Sequence, residues 1–479
     1  MSKTRDPRWI SLIVLCIGML MIVLDGTVVN VALPSIQSNL GFSQASLAWV
    51  VNAYLIAFGG LLLLAGRLGD LIGTKRVFMA GLLAFTIASV LCGLAWSQPV
   101  LIAARFIQGL GGALASSVIL AMIVTMFTQP EERARAMGIF SFTASAGGSV
   151  GLLVGGTMTQ FLNWHWVFLI NVPIGIATFF IAHKYLETDN GIGLAEGADA
   201  TGAALVTACL MLAVYTVVDI PQNGLTSMRT LLLAALAIAL FVAFIVRQFT
   251  ASKPLVDLSV FKSRNVTGSN ILELLIVAGL MGFFFLDSLY LRRVLGYGPV
   301  ATGLAFLPIT LSIGAFSLGW SAQLCARFGA LQVVVAGCAI SALGLGIFAL
   351  TPLDATYFTR LMPPMLLMGI GMGASFPPLM MFAMSDATPQ NSGLVSGVIQ
   401  TTGQVGGAFG LAILATSAAA VTQTAVAAGA TGLNPLSAGY HFTFGIATAF
   451  LIVATLVAAT VLKPIAMSNE AHAEDFVAA

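Results

Sequence analysis

The sequence predicts an all-α polytopic membrane protein built as two six-helix bundles with a two-helix hairpin inserted between them, fourteen transmembrane helices in all. Three observations carry this. Of 479 residues, 58% are hydrophobic and 8% charged, with a mean hydropathy of +1.00, whereas a soluble domain carries about a quarter of its residues as charges. Apolar runs of the ~20 residues that cross a bilayer recur along the whole chain. The second half of the chain also repeats features of the first.

The runs fall near 10–32, 47–66, 77–96, 100–127, 137–161, 166–186, 200–219, 229–248, 267–290, 301–324, 331–350, 358–382, 392–420 and 439–462. Their number is even, so both termini lie on one side. Residues 1–8 place Lys3, Arg5 and Arg8 ahead of the first run, as a signal peptide does. That run extends to about Val31, lacks a small-x-small cleavage site and contains Asp25, so it reads as an uncleaved first span. The basic residues sort unevenly between the two sides. Fifteen, among them Arg67, Lys75, Arg76, Arg133, Arg135, Arg247, Arg327 and Lys463, fall with the termini; Arg229, Arg292, Arg293 and Arg360 fall opposite, and Arg105 lies within a span. That asymmetry predicts cytoplasmic termini.

The repeat is seen in three places. Gly138–Leu152 recurs as Gly397–Leu411, with six identities at an offset of 259. Arg105 finds Arg360 at 255, and Leu68-x-x-x-x-Gly73 finds Leu324-x-x-x-x-Gly329 at 256. The offsets pair spans one to six with nine to fourteen, an arrangement frequent in transporters. The expected organisation is therefore residues 1–186 as an N-terminal bundle, 187–266 as linkers and hairpin, 267–463 as a C-terminal bundle, and 464–479 as a short polar cytoplasmic tail without packed structure.

Composition also narrows function. A net charge of +2 gives no reason to expect a nucleic-acid partner. Cys16, Cys92, Cys209, Cys325 and Cys338 all lie in apolar segments and read as small buried hydrophobes. His165 and His441 have no partner at metal-ligand spacing, so neither a metal nor a cofactor is expected. No Walker loop supports ATP-driven transport.

Several motifs carry a family resemblance that spans the chain. Gly66-Arg-Leu-Gly-Asp70-Leu-Ile-Gly73-Thr-Lys75-Arg76 is a glycine-rich basic turn between two apolar runs, and it resembles the loop between helices two and three of the major facilitator superfamily. Leu24-Asp25-Gly-Thr-Val-Val-Asn-Val-Ala-Leu-Pro34 resembles the first-helix motif of the fourteen-span drug:proton antiporter branch. Leu101-x-x-x-Arg105-x-x-Gln108-Gly109-x-Gly-Gly112-Ala113 and Trp166-Val-Phe-Leu-Ile-Asn-Val-Pro-Ile-Gly175 resemble its fourth-helix motif and sixth-helix entry. Leu71 stands where the family usually carries arginine. Leu152 replaces the proline of the fifth-helix antiporter motif, here Gly147-x-x-x-Gly151-Leu-x-x-Gly155-Gly156, and so removes a kink-former. The resemblance implies the major facilitator fold, proton-coupled export of lipophilic or cationic small molecules from the inner membrane, and a cytoplasmic gate in which Asp70 meets Arg133 or Arg135.

Charges inside spans are the functional suspects, because lipid tolerates them poorly. Asp25 and Arg105 both lie in the outer half, Asp25 about 12 Å below its helix end, and are placed to meet; Gln108, Gly109 and Gly112 share the Arg105 face. A static tie is the alternative for Arg105, and a helix-bending cap for Asp25. Glu273 and Asp287 lie about 21 Å apart on one side of span nine, with Leu280 and Phe284 between them. That strip suits a lipophilic cation, with help from the Phe284 ring. Asn270, a turn below Glu273, is placed to hydrogen-bond it, and Asp287 has Arg292 and Arg293 as an alternative, structural pairing. Gly109-x-x-x-Ala113, Gly147-x-x-x-Gly151 and Gly151-x-x-x-Gly155 allow close helix packing. The expected function is secondary transport by a monomer, with protons, lipid and a small-molecule substrate as partners. The rivals are transport of an anionic or neutral metabolite held by Arg105, or a transport-inactive sensor or scaffold.

Overall fold

Among the described residues fourteen helical runs make up the fold, and two glycines show why the chain turns where it does. The computed structural model describes residues 7–464 apart from 190, 192, 194–198, 353–355 and 386–391. The expected tail lies almost wholly outside the described residues. So do the side chains of 130, 131, 133–135, 137, 138, 141, 142, 144–146, 149, 221, 222 and 392–394.

The N-terminal helices are α1 (Pro7–Leu40), α2 (Ser46–Ile72), α3 (Thr74–Gly93), α4 (Gln98–Met126), α5 (Pro130–Phe161) and α6 (Trp166–Tyr185). The hairpin is α7 (Ala200–Asn223) and α8 (Met228–Thr250). The rest are α9 (Arg264–Arg293), α10 (Pro299–Phe328), α11 (Ala330–Phe348), α12 (Tyr357–Ala383), α13 (Ser392–Ala427) and α14 (Asn434–Val461). Thirteen carry a window apolar enough to span a membrane; in α5 the described apolar stretch is Val150–Phe161. Helix α1 continues past Pro34 to Leu40, so its far end lies beyond the run read from the sequence. Short π-helical turns at Phe316–Trp320 and Tyr357–Leu361 interrupt α10 and open α12.

Gly73, between α2 and α3, has φ +100°, and Gly329, its repeat partner between α10 and α11, has φ +86°. Both are backbone conformations that residues with a Cβ resist, so the two halves turn in the same way at equivalent places. The other repeat pair does not share an environment. Arg105 is fully buried on α4, whereas Arg360 is exposed in the first turn of α12.

Within the first bundle α1 packs on α5, and α4 packs on α2 and α3; in the second, α9 packs on α13 and α14, and α11 on α12 and α14. The motif glycines make these approaches. A Cβ on Gly109 would stand 2.4 Å from the Tyr54 carbonyl of α2, and one on Gly155 would stand 2.7 Å from the Val28 carbonyl of α1. Gly112 lies against Phe58 and Tyr54, Gly147 against Leu20 and Val23, and Gly151 against Thr27. Gly156 points the other way, onto Pro299 and Val300 of α10, and so joins the bundles. The hairpin lies over the α2–α13 seam: Thr207 of α7 abuts Gly60 of α2, and Thr416 of α13 donates to the Val217 carbonyl at 3.3 Å.

One end of the molecule carries the first described residues and the Gly73 and Gly329 turns, and is here the basic end. Among the described residues, side-chain hydrogen bonds between the two bundles cluster at the opposite, far end. Ser288 of α9 donates to the Asn30 carbonyl of α1 at 2.6 Å, and Arg292 donates to Val31 O and Ser35 Oγ at 3.3 and 3.0 Å. Arg293 donates to Gln37, and the Val300 amide of α10 donates to Gln160 of α5 at 3.2 Å.

Candidate functional site

Helices α1, α4 and α6 converge in the far half of the first bundle, and each contributes polar side chains to one buried cluster. Arg105 Nη1 donates to Asp25 Oδ2 at 2.5 Å and to Gln108 Oε1 at 2.6 Å. Gln108 Nε2 donates to Asp25 Oδ1 at 2.7 Å and to Ser89 Oγ of α3 at 2.9 Å. Asn171 of α6 donates to Asp25 Oδ1 at 3.0 Å, and Arg105 Nε donates to the Val50 carbonyl of α2 at 2.8 Å. The guanidinium also lies over the Tyr54 ring at 4.4 Å, a favourable cation–π distance. Asp25, Ser89, Arg105, Gln108 and Asn171 are all fully buried.

Chemically, this cluster is a carboxylate that accepts from three side chains on two other helices. Charge-assisted bonds of this kind are among the stronger ones available, and losing one partner leaves the other charge buried and bare. One donor is uncommitted: Arg105 Nη2 has no acceptor among the described residues. Asp25 and Arg105 therefore meet across helices, and Asp25 is engaged by side chains of α4 and α6, well beyond a local cap.

Tyr54, Ser89 and Asn171 were not singled out from the sequence. Asn171 had a usable signal, being the polar residue within the Trp166–Gly175 motif. Ser89 and Tyr54 are single polar residues in apolar helices, and nothing in their spacing separates them from packing residues.

The second bundle is different. Glu273 is buried on α9 beside Gly403 of α13, and its Oε2 has no hydrogen-bond partner among the described residues. Asn270 does not serve it. Its amide donates to the Val266 carbonyl of its own helix at 2.8 Å, and its carbonyl accepts from Thr402 at 2.8 Å, because α13 packs close enough to offer that hydroxyl. Asp287 is fully buried, with both oxygens unpartnered among the described residues. The alternative pairing with Arg292 and Arg293 fails, since both arginines reach instead to α1. Phe284 packs on Phe306 of α10 at 5.3 Å, and Leu280 is buried, so the Glu273–Asp287 strip is not an open wall in this conformation.

At the basic turn, Asp70 is exposed and its ion-pair neighbour is Arg67, at 3.8 Å. The side chains of Arg133 and Arg135 lie outside the described residues. Gly66 lies near Ser117 of α4, and Arg76 donates to the Ile72 carbonyl at 3.3 Å. Lys75 Nζ donates to the carbonyls of His183 and Leu186 at 3.0 and 2.6 Å. The turn has a partner that was not foreseen. Asp189, in the segment after α6, accepts from the Thr74 and Lys75 amides at 2.7 and 3.3 Å and so caps α3. Partial burial works to raise Asp189, but those amides outweigh it and hold its carboxyl below the usual carboxylate range. Among the described residues no group of three or more His, Cys, Asp or Glu is placed to hold a metal.

Two helical bundles meeting along a seam, with a buried ion-pair cluster in the first and buried carboxyl groups in the second, form a polytopic membrane protein, and its relatives make it a transporter. The profile of the Major Facilitator Superfamily matches residues 15–411, and the chain belongs to that family. It is 35% identical over 473 residues to the puromycin resistance protein pur8 of Streptomyces alboniger, covering 98% of this chain and 93% of that protein. It is 38% identical over 420 residues to the cephamycin export protein CmcT of Amycolatopsis lactamdurans, covering 87% of this chain and 86% of that one. Among solved structures, a bacterial homologue of the lysosomal transporter Spinster, inward-facing and unoccupied, superposes with a TM-score of 0.69 at 16% identity over 96% of this chain and 98% of that one. That likeness concerns the fold.

Proposed function

We propose that the protein is a proton-coupled exporter of lipophilic or cationic small molecules, working as a monomer in the cytoplasmic (inner) membrane with both termini inside. The energy source is the proton gradient, with no bound cofactor. The observation that carries the proposal is the unequal treatment of two carboxyl groups: Asp25 is held by Arg105, Gln108 and Asn171, while Glu273, in the other bundle, keeps Oε2 bare. The distribution of basic residues supports the sidedness, making the basic end cytoplasmic. On that sidedness the bundle contacts at the far end form the outer gate. Relatives named for puromycin resistance and cephamycin export support an outward direction of transport.

In this mechanism the bundles rock about a midplane cavity. A proton arriving on Asp25 from outside cancels the charge on which three donors converge, frees the Arg105 guanidinium and loosens the joint between α1, α4 and α6. Glu273 is available to a cationic substrate from the inner side and exchanges it for a proton, so one carboxyl holds either but not both. For a neutral substrate each proton moving inward supplies about 2.3 kcal/mol per 100 mV, against about 1.4 kcal/mol for a tenfold gradient. A monovalent cation leaving carries that charge back out, so its export is driven by the pH difference or by a second proton. Anion transport centred on Arg105 is less well supported, because that guanidinium is fully buried and engaged with Asp25, Gln108 and Val50.

Proteoliposomes with an imposed pH gradient test this reading. Asp25→Asn should abolish gradient-driven efflux and retain downhill exchange. Glu273→Gln should slow a cationic substrate by about tenfold or more, through the lost charge pair, and spare a neutral one. Normal pumping of both substrates by both variants would refute the proposal.

A further inference from the structure

The proposed mechanism leaves Asp287 unused, yet among the described residues it is the carboxyl group with both oxygens buried and unpartnered. Its neighbour in sequence, Ser288, donates to the Asn30 carbonyl of α1 at 2.6 Å, so Asp287 lies one residue along α9 from a far-end contact between the bundles. The nearest cations along its helix, Arg292 and Arg293, are committed across that seam to Val31, Ser35 and Gln37.

The titratable and charged groups around it are few. On its own helix there is Tyr290, besides the two arginines. From α12 comes Tyr357, whose hydroxyl donates to the Ala305 carbonyl at 2.8 Å. These two phenols are the ionisable groups close enough to feel the Asp287 charge. From α14, Tyr440 and His441 approach Tyr290, with ring centroids 6.0 and 5.9 Å away. The facing stretch of α1 offers Asn30, Ser35 and Gln37, while the adjoining stretches of α10 and α13 contain no Asp, Glu, Lys, Arg or His. Among the described residues, no uncommitted cation faces Asp287.

We propose that Asp287 is a second proton-binding site, reached from the outer solution when the α1–α9 seam opens and emptied back to the same side. In the open seam, water solvates the carboxylate, and Arg292 and Arg293 are released from α1. Closing the seam strips that water and returns both arginines to α1. An ionised, unpartnered carboxylate is costly in such a place, so closure takes up one proton from outside and reopening returns it there. The fully buried side chain gives that proton no exit to the inner side. Asp287 thereby makes the outer-gate equilibrium respond to outside pH without adding to the protons moved per substrate, a role separate from the exchange assigned to Asp25 and Glu273.

The first readout measures the gate directly, without transport, so it stands apart from the coupling experiment; the second counts protons per substrate. Spin labels at Ser38 of α1 and Ala301 of α10, both exposed at the far end, report seam opening as a distance distribution in nanodiscs between pH 5 and 9. In the unsubstituted protein the open population should rise with pH. Asp287→Asn should lose at least half of that response and stay closed at high pH, while Asp287→Glu should keep it. Protons moved per substrate should be unchanged in Asp287→Asn. A pH response equal to that of the unsubstituted protein in Asp287→Asn, or loss of the response in Asp287→Glu, would overturn the proposal. So would a lower proton count per substrate.

Discussion

The two bundles descend from a shared pattern but handle buried carboxyl groups in opposite ways. In the first, Asp25 accepts from Arg105, Gln108 and Asn171, and the guanidinium is itself spread between a carboxylate, an amide, a backbone carbonyl and an aromatic face. In the second, Glu273 and Asp287 are buried with oxygens that have no hydrogen-bond partner among the described residues. The position that the repeat assigns to a second Arg105 is Arg360, exposed in the first turn of α12. The teaching of this contrast is that a bilayer protein can carry an ionisable group in two ways. It can surround the charge with donors, which makes the group structural as well as functional, or it can leave the group without a charge partner, which ties its protonation to whether water reaches it.

That difference is sharpest in stability. Arg105→Ala leaves Asp25 with two amide donors and no countercharge, and breaking a buried pair in this way costs about 3–5 kcal/mol. Asp287→Asn removes no partner and should cost far less. Thermal unfolding of purified protein in one detergent compares the two, and equal losses would erase the distinction. Arg105→Lys should fall between them, since a single ammonium restores the charge but not the fork that serves Asp25, Gln108 and Val50 together.

Much of the architecture was legible because it is written in long-range statistics: apolar runs of bilayer length, a basic bias to one side, and a near-constant offset between halves. The Gly73 and Gly329 turns follow from the same offset. Within the candidate site, Asp25, Arg105 and Gln108 were legible because charge and strong polarity are conspicuous in an apolar helix. Tyr54 and Ser89 were not, since single hydroxyls in membrane helices commonly serve their own backbone. The Asn270–Glu273 contact misled because a one-turn spacing puts two residues on one face without deciding which neighbour each prefers; α13 brings Thr402, and Asn270 takes it. Asp189 was illegible in principle. Its partners are 114 and 115 residues away, at a helix start that no local pattern connects to it.

The two glycine turns allow a smaller comparison of the halves. Gly73 and Gly329 both have positive φ with extended ψ, so an alanine at either costs about 1–3 kcal/mol in backbone strain. At Gly73 the added Cβ would also stand 2.4 Å from the Asp189 carbonyl, whereas at Gly329 it meets open space. Gly73→Ala should therefore lower the unfolding midpoint more than Gly329→Ala. Equal shifts would mean that the segment after α6 gives way freely.

The smallest effect concerns what that segment contributes. Asp189 is the helix cap of α3, and replacing such a cap with alanine costs about 0.5–2 kcal/mol. Its carboxyl is held below the ordinary value by the Thr74 and Lys75 amides, which outweigh the opposing effect of burial. A carboxyl depressed on folding stabilises the folded state above its unfolded value, about 4, and that contribution disappears as pH falls through the lower folded value. The gap in unfolding midpoint between the unsubstituted protein and Asp189→Ala should thus be constant from pH 8 to 5 and shrink as pH drops below about 4. The second bundle supplies the control. Among the described residues, nothing stands at Gly329 where Gly73 meets Asp189, and no side chain accepts from the first amides of α11. A gap that stays constant to low pH would show that Asp189 holds α3 by shape alone, and that the two turns differ in packing rather than in charge.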